Sequence, residues 1–206
     1  NVSGTFNEGN STVEIASDAG TSETPLSLTA GGMNFKNLTL NPTITGDHVY
    51  SLGTGTLAIG GNLVMNTTAS GSPYILSTRL GGNTSVTGSI TISGTGTGAS
   101  VLDTNLASNY DLTANSLTIN SGATLNMRGS VVTVTANGTP LVNGGTIAGA
   151  TSSEFIYLPA TTTAVTVAST SYPGAVTVNK AGTIFTASTG SLGLGGDLNI
   201  TAGTLN

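Results

Sequence analysis

Cysteine and tryptophan are absent from this chain of 206 residues, and charged residues make up only 6% of it. Without cysteine, no disulfide can brace the fold and no thiolate can ligate a metal or attack a substrate. Ordinary globular chains carry about 25% charged residues, so solubility here rests on Thr, Ser, Asn and Gly. The four basic residues, Lys36, Arg79, Arg128 and Lys180, stand far apart in the sequence. They form no basic stripe able to follow a phosphate backbone, which sets nucleic acid aside as a partner. No apolar run reaches the length of a membrane helix. Aromatics at 4% are too few for the girdles of a membrane barrel, so membrane insertion is not expected. Helix formers such as Glu, Lys, Arg and Gln are sparse as well.

What remains is apolar enough to fold. Hydrophobic residues account for 37% of the chain and mean hydropathy is positive, which argues against disorder. Short segments alternate with period two and close on a turn residue: Asn37-Leu38-Thr39-Leu40-Asn41, Ser116-Leu117-Thr118-Ile119-Asn120 and Ala175-Val176-Thr177-Val178-Asn179. Each directs two aliphatics to a core and a Thr to water, with Asn at the exit, where it tolerates a left-handed backbone and hydrogen-bonds its own turn. The fold class is therefore all-β.

In the middle of the chain, Leu117/Ile119, Leu125/Met127 and Val132/Val134 follow one another about eight residues apart, with Leu141 and Ile147 continuing the series. That spacing is too short for a helical crossover. Only Asn137-Gly138 and Asn143-Gly144 carry a two-residue hairpin signal, so the segments read as successive sides of a coil. A longer repeat lies above this. Leu57 to Met65 matches Leu192 to Ile200, and Leu38-Thr39-Leu40-Asn41 matches Val176-Thr177-Val178-Asn179, at offsets of 135 and 138 residues. The domain expectation is one unit, 1–206, with a first copy over about 1–66, intervening coils over 67–150 and a partial second copy over 151–206. Asn1 and Asn206 both fall in mid-pattern. Neither end carries an amphipathic helix to cover an open terminus, which points to a piece of a longer chain or ends covered by neighbours.

The runs from Gly4 to Val13, from Asn34 to Leu40 and from Leu57 to Met65 resemble the Gly- and Thr-rich repeats of large bacterial and archaeal surface proteins. Those proteins are similar to filamentous adhesins and autotransporter passengers with pectin-lyase-like folds. The resemblance implies a right-handed parallel β-helix, secretion to the cell surface, and a structural or adhesive role. The expected unit is a solenoid of eight to ten coils of about 20 to 25 residues, stabilised by stacked rows that include Leu38, Leu40, Leu57, Ile59, Leu63, Met65, Ile90, Ile92, Leu117 and Ile119. The competing fold is a β-sandwich completed by donor-strand exchange.

No catalytic constellation stands out, and the expectation is a non-enzyme without cofactor or metal. The nine carboxyls are spread out. Asp103/Asp111 and Glu14/Asp18 are the nearest candidates for paired carboxyls, and neither has an Arg or Lys close in sequence. His48, the only histidine, follows Asp47 in what reads as a loop. Gly60-Gly61-Asn62 and Gly195-Gly196-Asp197 share only the glycine pair of calcium-binding nonapeptides, leaving at most an adventitious ion near Asp197 or Asp103. Phe155 and Tyr157 flank Ile156 and face one side, which makes them the leading candidates for a glycan-contacting platform, with core filling as the alternative. Among seven Asn-x-Ser/Thr sequons, Asn66, Asn83 and Asn137 are best placed for glycosylation, against a plain role as corner residues. Lys36 and Lys180 each adjoin an Asn and read as solvent-facing edge residues rather than isopeptide partners. The expected partners are the chain itself, as a homopolymer or neighbouring repeats, and surface or environmental glycans. A carbohydrate-binding or polysaccharide-degrading module is the alternative function.

Overall fold

The computed structural model describes residues 9–16, 26–28 by backbone alone, 34–53, 55–70, 73–96, 99–105 and 108–206. They form a β-solenoid of about seven turns without helices. Every ladder between the named strands is parallel. That excludes the β-sandwich, whose strands would pair as neighbouring antiparallel hairpins.

The coil has three sides. On the first, Phe35, Ile59, Val86, Ala114, Val134, Tyr157, Val178 and Ile200 stand one above another. The step between partners runs from 20 residues, Ala114 to Val134, up to 28, Val86 to Ala114. These longer coils explain why the chain completes fewer turns than the eight to ten expected. The second side stacks Thr12–Ile15, Asn37–Leu40, Leu63–Ala69, the latter halves of Thr84–Gly96 and Leu112–Ile119, and Leu141–Asn143. The third stacks Leu26–Leu28, His48–Leu52, Ile75–Leu80, Ala99–Asp103, Thr124–Asn126 and Thr146–Ala148.

Leu117/Ile119, Leu125/Met127 and Val132/Val134 thus occupy the second, third and first sides in turn, and all six are buried. Parallel sheets are usually covered on both faces and lose alternation. Here each sheet packs only inward, so alternation survives and Thr lines the outside. Leu38, Leu63, Ile90 and Leu117 make one continuous interior row, and Leu40, Met65, Ile92 and Ile119 a second, with no member more than 1% exposed. Each such side chain contributes about 1.5–3 kcal/mol by burial. Phe155 and Tyr157 lie in this interior at 0% exposure. They fill the core, and the expected glycan platform is corrected: Ile156 is the member of the trio that points outward.

Corners are held by side chains that reach one rung up. Asn37 Oδ1 accepts the Asn62 amide at 2.9 Å, and Asn62 Oδ1 accepts the Ser89 amide at 2.9 Å. Asp47, Asn83 and Asp111 do the same for Ile75, Asp111 and Val131 at 2.8, 3.0 and 3.0 Å. A side-chain acceptor at the bend replaces a ladder carbonyl and leaves no buried donor unpaired. Gly61 is required beside Asn37, because a Cβ there would sit 2.3 Å from Asn37 Oδ1. Corner asparagines were expected to adopt a left-handed backbone. Among the described residues the only non-glycine with positive φ is Arg128, at 53°, so asparagine is there for its hydrogen bonds.

The duplicated blocks occupy different sides. Leu57 to Met65 turns from the first side to the second, whereas Leu192 to Ile200 turns from the third to the first. Leu38–Leu40 and Val176–Val178 are displaced in the same sense. All three sides use the same alternating unit and glycine corner, so a copied block fits any of them.

Candidate functional site

Asp103 ends the Ala99–Asp103 strand on the third side, in register with Arg79 below and Asn126 above. The chain leaves the coil here, and buried hydroxyls anchor the departure. Thr104 Oγ1 donates to the Met127 carbonyl at 2.8 Å, and Ser130 Oγ donates to Thr104 Oγ1 at 2.9 Å. The Asp103 side chain is 5% exposed and that of Arg128 is 50% exposed. Arg128 Nε reaches both carboxylate oxygens at 3.1 and 3.2 Å, and its Nη2 reaches Oδ2 at 2.7 Å. The Asn105 amide adds a bond to Oδ1 at 3.0 Å. These bonds, and the carboxylate charge, raise the Arg128 pKa above its ordinary value.

Around the pair runs an open polar groove of about 460 Å³, lined by Asn105, Asn109, Asn126, Arg128, Gly129 and Ser152, with Gly149 and Ala150 at its edge. Asn109 accepts from Asn105 Nδ2 at 3.3 Å and from the Gly129 amide at 3.4 Å. Asn126 Oδ1 accepts the Arg128 amide at 3.3 Å, and the Arg128 carbonyl accepts the Ala150 amide. The left-handed backbone of Arg128 is therefore held from both sides.

Sequence reading missed this pairing because it measured closeness along the chain. Asp103 and Arg128 are 25 residues apart, about one coil, and the coil length was the signal that could have joined them. Asp103 carries the ion pair and is not open to calcium. Asp111 stays separate as a corner cap for Val131. Glu14 accepts Asn41 Nδ2 at 3.0 Å, and Asp18 lies outside the described residues. Among the described residues, no three His, Asp or Glu side chains gather in a way that could hold a metal.

Searches against family models, curated proteins and solved structures found no match to this chain. The site's meaning therefore rests on its own geometry.

The other candidates have structural places. Asp47 is an exposed corner residue, but His48 begins a strand and is 4% exposed, which corrects its expected loop position. Asn66 is half-buried, and the amide nitrogen that a glycan would need donates to Asn41 Oδ1 at 3.2 Å. Asn83 is exposed and accepts the Asp111 amide. The Asn137 side-chain oxygen is buried without a partner. Asp197 is exposed and its carbonyl accepts the Val176 amide at 2.9 Å. Lys180 Nζ donates to the Ala160 carbonyl at 3.0 Å, and Lys36 is half-exposed at a corner.

Proposed function

We propose that this chain is a structural repeat protein of an extracellular filament, surface layer or adhesin stalk, lengthened by strand contacts at its ends and acting mechanically rather than as an enzyme. The supporting observation is the state of the last described rung. Leu198 and Ile200 belong to interior rows, above Val176 and Val178, yet they are 39% and 52% exposed. The outer edge of Leu198–Leu205 has no strand above it among the described residues. An apolar row ending beside an open strand edge favours addition of another β-coil, since backbone groups and aliphatics are then covered together. Seven steps at the strand spacing give a rod of about 34 Å, and each added copy extends it without a new fold.

The test is sedimentation and electron microscopy of the purified chain beside Leu198→Lys and Ile200→Lys. Linear assemblies of the unaltered chain, absent from both variants, are expected. A chain that stays monomeric at high concentration, or variants that assemble equally well, would overturn end-to-end assembly.

A further inference from the structure

We propose that the groove over Gly129 binds an acidic saccharide, with Arg128 taking the sugar carboxylate. This goes beyond the mechanical role and does not depend on assembly.

The first argument is conformational. Arg128 holds a backbone geometry that costs a bulky residue free energy and that glycine adopts without strain. Such strain persists where the surrounding structure enforces it, and it clusters at ligand sites. Here Asn126 and Ala150 enforce it. The result directs a half-exposed guanidinium into the groove while Asp103 takes its Nε side. A guanidinium has two edges able to form paired bonds. With one edge held by the buried carboxylate, the Nη1 edge is oriented in advance for a second.

The second argument is chemical composition. Asn109 Nδ2 and Ser152 Oγ converge over Gly129, since a Cβ at that position would lie 2.8 and 3.0 Å from them. Amides and hydroxyls around an arginine suit a ligand that carries hydroxyls beside its carboxylate. No aromatic or large aliphatic side chain lines the groove, so it offers nothing to the apolar side chains of a peptide. Register places Arg79 one rung below Asp103, so two of the chain's four basic residues share this strip of the third side with a single buried carboxylate. On a chain of net charge −5, that is a local excess of positive charge. Asp111, the nearest other acid in sequence, turns its carboxylate to the Val131 amide.

Calorimetric titration of the full chain with an alginate oligomer, a neutral glucose oligomer and an oligoglutamate tests the proposal. The alginate oligomer is expected to bind at low salt and the other two are not. Gly129→Ala fills the groove floor against two movable side-chain ends and keeps the ion pair, so it should weaken binding by about tenfold or more at an unchanged melting temperature. The double variant Asp103→Asn/Arg128→Gly removes both charges together, leaves no unpaired buried carboxylate, and should abolish binding while the chain stays folded by circular dichroism. Absence of alginate binding, binding undiminished in both variants, or equal binding of oligoglutamate would overturn the assignment.

Discussion

The hydroxyls of Tyr157 and Tyr172 meet at 2.6 Å inside the coil, one contributed by the first side and one by the third. Ala168 closes the ring: its amide donates to Tyr157 at 3.1 Å, and its carbonyl accepts from Tyr172 at 3.0 Å. Phe155 packs against both rings, with centroids 5.2 and 5.3 Å away. Burial pushes the Tyr157 phenol up to about 12, and burial together with the neighbouring Tyr157 raises that of Tyr172. An unfolded chain releases these protons near pH 10 while the folded chain keeps them. Stability should therefore be constant below about pH 10 and fall as pH rises above it. Tyr157→Phe/Tyr172→Phe should be less stable at neutral pH but show a shallower alkaline loss in denaturant titrations. An unchanged slope would mean that these phenols are not linked to unfolding.

Thr78 faces inward between Tyr50 and Leu102, and its buried hydroxyl has no partner. Thr78→Val keeps the shape and removes an unsatisfied polar group whose burial costs about 1–3 kcal/mol. The variant should gain roughly 1 kcal/mol in urea unfolding, the low end of that range. A loss of stability would show that the hydroxyl is satisfied in solution.

Gly81 lies under the backbone of the previous coil, where a Cβ would fall 1.4 Å from the Gly53 carbonyl oxygen. Backbone cannot swing away as a side-chain tip can, so Gly81→Ala should cost about 3 kcal/mol or more, at the upper end of overpacking effects. Gly122, at φ 79° with open space around it, carries only the conformational term. Its Ala variant should lose about 1 kcal/mol. Comparison of the two melting temperatures checks the order.

Asn62 Oδ1 accepts both the Ser89 amide and the Ser89 hydroxyl, at 2.9 and 3.1 Å. Asn62→Ala strands those donors and should cost about 1–3 kcal/mol. Asn62→Asp keeps the acceptor and should restore most of the loss. Hydrogen exchange at the Ser89 amide would separate the two, with faster exchange expected only in the Ala variant.

Much of this fold was legible in order along the chain. Leu38, Leu63, Ile90 and Leu117 announce themselves by alternation, and the eight-residue spacing of Leu117, Leu125 and Val132 already implies successive sides of a coil. Phe155 and Tyr157 show the limit of that reading. Alternation puts them on one side of a strand but does not say whether that side is in or out. The dimension across the coils was equally hidden, so Asp103 and Arg128 read as two isolated charges.

By itself the sequence determined the all-β class, the inward rows, the glycine and asparagine corners and the absence of thiol chemistry, because these follow from local alternation and composition. Only the tertiary structure decided which residues become vertical neighbours, since coil lengths from 20 to 28 residues shift the partner at every turn. That shift brought Arg128 over Asp103, closed the two tyrosines into one ring and carried the duplicated blocks onto different sides. Contacts across rungs depend on the sum of all corner lengths beneath them, and no local pattern encodes that sum.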